Sequence, residues 1–486
     1  YFFTRKSFSF PVQLLKLSSQ LSCCMSNPEK FFGTDGVRGR VNTGAITPGK
    51  ALLLGQVIAS RLSPLQGNTP APPLHAVIGK DSRRSGDMLE NAIASGLHSV
   101  GMDVMLAGVV PTPAISMLVR ETGANLGVVI SASHNPPEDN GIKFFGADGY
   151  KLSDEQETEI GSFMLSGEQL PQSSLADNAR IGRSRILPDA ASRYIEFCKT
   201  TIPTGANFEG LTMVVDCAHG AAYHLAPHIF KELGARVIPI GSEPNGLNIN
   251  ENCGATEPGE LQRHVLESEA DVGVALDGDA DRVIMVDHKG EIVDGDELLF
   301  IIARERKRNQ DLKGAVVGTL MSNLGLEHAV RNLGLEFERT KVGDRYILEL
   351  LTERGWTLGG ETSGHILCLD LNTTGDGLIS SLQVLYAIAS SENSLHTLKQ
   401  GMHKYPQELI NVRNVGDVDV PGLKSVQECV QVVEAELADT GRVLLRASGT
   451  EPLVRVMVEG ENASQVERLA KQLASVVEEA IAAGPH

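Results

Sequence analysis

One pattern recurs three times along this chain: an apolar strand, a loop, an amphipathic helix, a glycine and a second strand. The three copies cover residues 75–107, 212–240 and 315–339. Strand–helix–strand units with short connections form parallel sheets with right-handed crossovers. The chain has 486 residues, which is enough for three or four domains of roughly 100–200 residues each. The repeat therefore predicts three related α/β domains.

The last part of the chain follows a different pattern. Strands are predicted at Arg442–Leu445 and Leu453–Glu459, followed by a helix with Asn462 as its N-cap. This order indicates a small α+β domain. The predicted division of the chain is a leader at 1–24, α/β domains at 25–185, 186–289 and 290–400, and the α+β domain at 401–486.

Charge and cysteine content narrow the classes of function. The chain has 43 Lys and Arg against 61 Asp and Glu, a formal net charge of −18. This balance argues against nonspecific binding to nucleic acid or anionic membranes, so an anionic substrate would need cations gathered in one cleft. The 7 cysteines include no Cys-x-x-Cys pair, which argues against a zinc site or a disulfide framework and fits a reducing cytoplasm. No apolar run reaches the roughly 18–20 residues that span a bilayer.

The leader differs in composition from the rest of the chain. It contains Arg5, Lys6, Lys16, several serines and no acid, which is typical of an organellar transit peptide. The interpretation that we favour is that translation begins at Met25, a few residues before the first functional motif. That start predicts a cytoplasmic protein.

Three carboxylates follow the apolar strand Val272–Leu276, at Asp277, Asp279 and Asp281. In an extended segment these alternate residues project to one side, where they would repel one another without a cation. Hard oxygen ligands on a short loop suit magnesium. Position six of the loop is Arg282 rather than glycine, which excludes an EF-hand. A solvated acidic turn is the alternative.

A second apolar strand, Leu126–Ile130, leads into the loop at 131–137, with Ser133 near its start. A hydroxyl at a strand end among small residues can act as a nucleophile or phosphate carrier. The same stretch is also compatible with an ordinary Ser/Asn/Pro turn. His134 is adjacent in sequence and cannot be assumed to be the base for Ser133. Downstream, Lys143 could donate or accept a proton if its pKa is lowered.

Further loops carry groups that suit a phosphosugar. Residues 446–452 combine an arginine, two hydroxyls and a glycine, and Arg455 follows; this composition fits a phosphate cradle or a tight turn. Residues 359–365 combine an acid, a hydroxyl and an imidazole that suit sugar hydroxyls. The loops at 33–39 and 341–345 add cations.

Together these motifs resemble the α-D-phosphohexomutase superfamily, in this chain order and across nearly everything after Met25. The similarity is greatest to the bacterial-type phosphoglucosamine mutases, in the motifs at 32–39, 131–136, 139–145, 342–346 and 448–452. That family has four domains around one central cleft. The resemblance thus implies an α/β fold of three similar mixed-sheet domains and a C-terminal α+β domain.

The resemblance also implies a role for each motif. Ser133 would be the phosphorylated serine, and its phosphate would complete the metal site of Asp277, Asp279 and Asp281. Lys143 and Arg38 would lie near the transferred phosphoryl group, with Lys143 or His365 as the acid/base group, and Glu361 and Ser363 would contact the sugar hydroxyls. The implied contacts to the nonreacting phosphate are Arg446, Ser448, Gly449, Thr450 and Arg455. Lys341, Arg282 and His134 would lie elsewhere in the cleft.

The implied reaction converts glucosamine 6-phosphate to glucosamine 1-phosphate. The phosphoserine would give its phosphoryl group to the free sugar hydroxyl, forming a 1,6-bisphosphate, and Ser133 would take a phosphoryl group back from the other end. The implied cofactors are Mg²⁺ and the sugar 1,6-bisphosphate. The implied partner is a small phosphosugar, with no nucleic acid and no membrane, and a homodimer is a family-level expectation.

Three alternatives stay open at this point. A phosphoglucomutase/phosphomannomutase would use the same phosphate chemistry with different sugar contacts near Glu361 and Lys341. A magnesium-dependent phosphatase would also need three carboxylates, and a noncatalytic phosphosugar-binding protein would not need Ser133. The chain departs from the closest bacterial pattern at Thr362, where glutamine is expected.

Overall fold

A computed structural model of the chain describes residues 30–33, 35–62, 74–414, 420–447 and 453–483. The predicted leader and the predicted phosphate contacts at 448–450 lie outside the described residues. Sheets of 6, 5, 4 and 3 strands follow one another along the chain. This architecture confirms the predicted fold of three α/β domains and a C-terminal α+β domain.

The first sheet has the strand order β1-β5-β4-β2-β3-β6. The elements of this domain are β1 (Val37–Arg40), α1 (Pro48–Leu62), β2 (His75–Lys80), α2 (Gly86–Ser99), β3 (Asp103–Val109), α3 (Thr112–Thr122), β4 (Leu126–Ile130), β5 (Asp139–Gly146), α4 (Asp154–Ser166) and β6 (Ser184–Ile186). Strands β2, β3, β4 and β6 are parallel, and β5 runs antiparallel to β4 and β1. Helices α1 and α2 cross closely, since a Cβ atom at Gly96 would lie 2.2 Å from the Leu52 carbonyl oxygen.

The second sheet has the order β11-β10-β9-β7-β8. Its domain contains α5 (Ala190–Thr200), β7 (Thr212–Asp216), α6 (Leu225–Glu232), β8 (Arg236–Ile240), α7 (Gly259–Glu267), β9 (Val272–Leu276), β10 (Val283–Asp287) and β11 (Ile292–Val293). Helix α6 begins at Leu225, nine residues after β7 ends. The reason is a tight turn in which Ala218 and His219 have φ values of 54° and 48°, and the Asp216 carboxylate accepts a hydrogen bond of 2.9 Å from the Ala218 amide.

The third sheet has the order β13-β12-β14-β15. The elements are α8 (Gly295–Asn309), β12 (Val316–Thr319), α9 (Leu324–Asn332), β13 (Phe337–Thr340), α10 (Asp344–Arg354), β14 (Leu358–Gly360), β15 (Ile366–Cys368), α11 (Gly377–Ser391) and α12 (Leu395–Lys399). Asp294 caps α8 in a reciprocal capping box with Glu297. Asn323 caps α9 by accepting from the Gly325 amide at 2.9 Å, which fixes where this helix begins.

The fourth domain has a small antiparallel sheet in the order β16-β18-β17. It contains β16 (Gln407–Arg413), α13 (Lys424–Leu437), β17 (Gly441–Ala447), β18 (Leu453–Gly460) and α14 (Ala463–Ala483). The predicted N-cap is confirmed, since Asn462 Oδ1 accepts from the Gln465 amide at 3.1 Å. The sequence did not predict β16, because this edge strand is mostly exposed and has a weak apolar signal.

One apolar core is continuous through the first three domains, whereas the fourth domain has its own apolar clusters. The other face of the first sheet is packed separately, beneath α1 and α2. None of the described helices combines the length and apolar character needed to cross a membrane.

Four of the predicted site loops, one in each domain, have equivalent places in the order of elements along the chain. Each joins two neighbouring antiparallel strands: β4 to β5, β9 to β10, β14 to β15, and β17 to β18. The repeated topology therefore gives each domain one loop of the same kind for the site.

Candidate active site

Ser133 is fully buried, and its backbone has a φ of 52°, in the left-handed region. Its hydroxyl Oγ donates a hydrogen bond of 2.7 Å to Oδ2 of Asp277 in the second domain. Its amide donates to Ser131 Oγ at 2.9 Å. A left-handed conformation is uncommon for a residue with a side chain and must be held by its surroundings.

Arg83, which was not predicted from the sequence, holds the loop that contains Ser133 in place. Its side chain has no exposed surface, and its guanidinium donates to the carbonyl oxygens of Ser133 at 3.1 Å and Asn135 at 2.7 Å. It also donates to the carbonyl oxygens of Pro136 and Asp139. A single planar guanidinium group thus donates hydrogen bonds to four carbonyl groups between Ser133 and Asp139.

Two more residues complete this support. Asp81 accepts from Arg83 Nε at 2.8 Å and from Ser131 Oγ at 2.7 Å. Asn250, from the second domain, donates to the carbonyl oxygen of Ser133 at 2.9 Å. One sequence signal was available for Asp81 and Arg83: they lie in a polar loop directly after β2, and β2 is the neighbour of β4, which leads to Ser133. No sequence signal marked Asn250.

The three carboxylates converge as predicted, but by a different geometry. Residues 277–282 form a turn rather than an extended segment, because Ala280 adopts a φ of 57° and its amide donates to the Asp277 carbonyl oxygen at 3.0 Å. One oxygen from each carboxylate lies within 4.8 Å of the others. The expected alternation of an extended segment is therefore wrong, although the acidic cluster is present.

This cluster could hold a metal ion. The Oδ1 atoms of Asp279 and Asp281 are buried and have no hydrogen-bond partner, and buried carboxylate oxygens are costly unless paired or bound to a cation. Burial, together with Asp281 and Asp279, raises the pKa of Asp277 well above its ordinary value. Hard oxygen ligands in this number suit a divalent cation such as Mg²⁺.

Lys143 contacts three carboxylates. Its Nζ lies 2.8 Å from Asp279 Oδ2, 2.8 Å from Asp35 Oδ2 and 3.2 Å from Asp281 Oδ2. Burial by itself would lower the pKa of Lys143, but Asp279, Asp35 and Asp281 outweigh it and hold the pKa well above its ordinary value. The lowered pKa on which a base role depends is absent here, so Lys143 is a cation that donates hydrogen bonds to Asp279 and Asp281 in this arrangement.

Three other predicted residues surround the same place. His134 Nδ1 lies 3.3 Å from Ser133 Oγ, and burial together with Arg282 and Arg38 lowers the pKa of His134 to about 4, so its ring is neutral at pH 7. Arg38 pairs with Asp35. The Arg282 amide donates to Asp277 Oδ1 at 3.1 Å. The structure brings all three next to the serine and the carboxylates.

The loop at 359–365, whose residue types suit sugar hydroxyls, belongs to the third domain and lies beside the carboxylate cluster. His365 is buried, with Nδ1 3.6 Å from Asp281 Oδ1, and burial, which alone would lower its pKa, is outweighed by Asp281 and Asp344, so the pKa is raised. Glu361 Oε1 accepts from the Gly343 amide at 3.0 Å, and Ser363 is exposed. Lys341 is exposed too, with Nζ 5.6 Å from the centre of the Tyr346 ring.

The predicted arginines of the fourth domain face each other. Arg446 on β17 and Arg455 on β18 are paired in the strand register. Burial, together with Arg455, lowers the pKa of Arg446. Two guanidinium groups therefore lie side by side on neighbouring strands next to the loop that joins them.

A second cluster of metal-type ligands lies elsewhere, at Asp287, Glu291 and His396. Lys399 Nζ already contacts Asp287 at 2.8 Å and Glu291 at 2.7 Å. The lysine supplies the positive charge, so this cluster is an ion-pair network.

Models of the four phosphoglucomutase/phosphomannomutase domains match the chain in order. Alpha/beta/alpha domain I matches residues 29–170, domain II 192–290, domain III 294–405, and the C-terminal domain 409–476. A solved phosphoglucomutase/phosphomannomutase family protein from Burkholderia thailandensis has the same fold, with a TM-score of 0.76, 23% identity, and coverage of 93% of this chain and 98% of that chain. The Aspergillus fumigatus N-acetylphosphoglucosamine mutase, solved with GlcNAc-6P and magnesium, has a TM-score of 0.58 at 19% identity, over 79% of this chain and 93% of that one.

Curated relatives are much more similar in sequence. The chain is 54% identical to the phosphoglucosamine mutase of Methylococcus capsulatus, over 94% of this chain and 100% of the relative. It is 54% identical to that of Proteus mirabilis, over 92% of this chain and 98% of the relative. The chain therefore belongs to the phosphoglucosamine mutase family of the phosphohexomutase superfamily, and it is an isomerase.

Proposed function

We propose that the protein interconverts glucosamine 6-phosphate and glucosamine 1-phosphate, with Ser133 as a reusable phosphoryl carrier. The observation that carries this proposal is the hydrogen bond of 2.7 Å between Ser133 Oγ and Asp277 Oδ2. It joins a buried hydroxyl to a cluster of three carboxylates on another domain. The names of the curated relatives support the choice of substrate.

In the first half-reaction, the free sugar hydroxyl attacks the phosphorus of phosphorylated Ser133, the bond from phosphorus to Oγ breaks, and a proton passes from the sugar hydroxyl to Oγ through an acid/base group. In the second, Ser133 Oγ attacks the phosphorus at the other end of the 1,6-bisphosphate, the bond from that phosphorus to the sugar oxygen breaks, and a proton passes from Oγ to the sugar oxygen. Asp277, Asp279 and Asp281 would hold Mg²⁺, which would supply positive charge to the transferred phosphoryl group. Lys143 adds a second cation and can donate a proton to the departing Oγ. His365 is the other candidate for proton transfer.

The substrate's second phosphate needs a separate site. The facing arginines Arg446 and Arg455 suit it, with Ser448, Gly449 and Thr450 as further predicted contacts. Because the two ends of a 1,6-bisphosphate can exchange places between the two anion sites, one fixed serine can serve both. Glu361 and Ser363 are the proposed contacts to the sugar hydroxyls.

The experiment compares turnover of glucosamine 6-phosphate, glucose 1-phosphate and mannose 1-phosphate, with glucose 1,6-bisphosphate as activator. We expect glucosamine 6-phosphate to have the highest kcat/KM, and Ser133→Ala to lose at least about a thousandfold in kcat, which is the order found when a covalent nucleophile is removed. Dominance of a hexose phosphate would instead identify a phosphoglucomutase/phosphomannomutase.

Two further measurements separate the remaining classes. Stoichiometric release of inorganic phosphate would indicate a phosphatase, whereas a mutase releases almost none. Intact mass should show one added phosphoryl group on the wild-type protein and none on Ser133→Ala. The homodimer and the cytoplasmic location stay predictions, and light scattering checks the first.

A further inference from the structure

Six ionisable side chains, in which carboxylates alternate with Lys or His, form a closed ring across the first three domains. Asp281, Lys143, Asp35, Lys151, Asp344 and His365 follow one another around this ring. Lys143 and His365, the two candidates for proton transfer, lie on opposite sides of it. Lys143 and His365 both contact Asp281 directly. The other path around the ring from Lys143 to His365 runs through Asp35, Lys151 and Asp344.

Lys151 makes the two shortest contacts of the ring. Its Nζ lies 2.6 Å from Asp35 Oδ1 in its own domain and 2.6 Å from Asp344 Oδ2 in the third domain. Only 12% of the side chain is exposed. Burial alone would lower the pKa of Lys151, but Asp344 and Asp35 outweigh it and raise that pKa, so the residue is a cation.

The backbone beside Lys151 is also held by both domains. The carbonyl oxygen of Gly149 accepts hydrogen bonds of 2.8 Å from Ser116 Oγ of the first domain and from Thr373 Oγ1 of the third. The ammonium group is therefore attached to a turn that is itself fixed at the boundary between the two domains.

We propose that Lys151 is a positioning residue for the phosphoryl-transfer reaction: through Asp35 it sets the place of Lys143, and through Asp344 the place of His365. This inference rests on the proposed function and deepens it, because it names a residue that makes the two sides of the cleft act as one site. Lys151 is not a substrate contact in this scheme.

The physical reason is electrostatic. Without the lysine, Asp35 and Asp344 would face each other as like charges in a buried place, and they would separate or take up water. Asp35 Oδ2 is 2.8 Å from Lys143 Nζ, and Asp344 Oδ2 is 3.4 Å from His365 Nε2. Movement of either carboxylate would displace the cation that it holds.

Lys399 offers a matched control. It too is a mostly buried lysine that bridges two carboxylates across elements, at 2.8 Å from Asp287 and 2.7 Å from Glu291, but it lies outside the ring. Removing its charge reproduces the loss of an ion-pair network without touching Lys143 or His365.

The experiment measures kcat and KM for glucosamine 6-phosphate, and the melting temperature, for wild type, Lys151→Met, Lys151→Gln, Lys151→Arg and Lys399→Met. We expect kcat to fall about 10- to 100-fold in Lys151→Met and Lys151→Gln, the range typical of a misplacement of about 1 Å in a catalytic site, with KM changed less than about threefold. Lys151→Arg should recover much of the loss in kcat, because it restores a cation between the carboxylates. Lys399→Met should lower the melting temperature by a similar amount and leave kcat within about twofold of wild type.

The inference is overturned if a folded Lys151→Met or Lys151→Gln variant keeps wild-type kcat, or if Lys399→Met loses as much kcat as they do. It is also overturned if Lys151→Arg, which keeps the charge and the fold, is no more active than Lys151→Gln. An inactive wild-type protein would instead overturn the proposed function, so the two failures give different results.

Discussion

Ser133 of the first domain and Asp277 of the second are joined by a hydrogen bond of 2.7 Å from Oγ to Oδ2. Each residue lies in a connection between two antiparallel strands of its own sheet, and both have almost no exposed surface. The Ser133 hydroxyl and the acidic cluster therefore form one site only when the two domains are docked. Substitutions on either side of this contact should affect the same reaction.

Replacing Asp279 should weaken cation binding. In Asp279→Asn the amide oxygen can still accept from Thr112, whose Oγ1 lies 2.6 Å from Oδ2, but one of the three negative charges is lost. We expect the apparent Kd for Mn²⁺, followed by electron paramagnetic resonance, to rise at least about tenfold, which corresponds to about 1.4 kcal/mol. The control is Asp287→Asn in the second carboxylate cluster, where Lys399 already supplies the cation. Equal weakening in both variants would contradict the assignment.

Replacing Arg83 should release the serine loop. A lysine keeps the charge but cannot reach four carbonyl groups, so Arg83→Lys leaves buried acceptors without donors, at about 1–3 kcal/mol each. We expect a lower melting temperature and a fall in kcat of about 100-fold, because Ser133 would no longer be held at a φ of 52°. Arg84→Lys, at an exposed neighbouring position, should match wild type. Full activity of Arg83→Lys would show that the loop keeps its conformation by other means.

Asp296 should make stability depend on pH. Burial, together with Asp294, raises the pKa of this carboxyl from 3.8 to about 7, despite hydrogen bonds from the Asn323 amide and Thr362. The folded state therefore binds more protons than the unfolded state between these values. The stability that this group contributes is present below about pH 4 and is lost as the pH rises through 7.

The measurement for Asp296 is urea denaturation of wild type and Asp296→Asn between pH 4 and pH 8. Asparagine cannot ionise, so the free energy of unfolding of the variant should increase relative to that of wild type as the pH rises. The expected increase is on the order of 4 kcal/mol, since the pKa is raised by about three units and each unit corresponds to about 1.4 kcal/mol. Asp177→Asn, at an exposed carboxylate, should run parallel to wild type. A constant difference between Asp296→Asn and wild type would contradict the assignment.

Glu459 should hold the fourth domain against the third. It has no exposed surface, and its carboxylate accepts from the Leu324 amide at 3.0 Å and from Arg442 Nε at 2.6 Å. Removing one partner of a buried pair typically costs about 3–5 kcal/mol. Because the fourth domain has its own apolar clusters, Glu459→Ala should unfold in calorimetry with an early separate transition. Glu467→Ala, which removes an exposed ion pair with Lys471, should not produce a separate transition. A single unshifted transition in Glu459→Ala would show that Glu459 does not hold the two domains together.

The sequence predicted the elements well where the apolar pattern was strong. Strand β9 has the predicted bounds, β2 begins at the predicted start of the first repeat, and β18 begins at the predicted Leu453. The sequence says less about boundaries that a left-handed residue or a side-chain cap decides, such as the starts of α6 and α9. The edge strand β16 was missed because only one of its residues is fully buried, so little apolar periodicity marks it.

The candidate site also contains residues that were predicted from the sequence and residues that were not. Asp277, Asp279 and Asp281 were predicted from residue type and spacing, although the carboxylates meet through a turn and not through an extended segment. For Ser133 the local residues also fitted an ordinary turn, and the family resemblance implied its role. Arg83, Asn250 and Lys151 were not predicted. Their partners are carbonyl groups and carboxylates from distant segments, and nothing in the spacing of one chain encodes those partners.

By itself the sequence determined the repeated α/β units and the chemistry carried by each loop, because hydrophobic periodicity and residue type are local properties. Only the tertiary structure decided which protonation states and contacts those loops have. Lys143 illustrates the reason: the pKa of a buried ammonium depends on desolvation and on the charges around it, and Asp35, Asp279 and Asp281 come from two domains. The same docking places Lys151 between carboxylates of the first and third domains, a relationship that exists only in the folded chain.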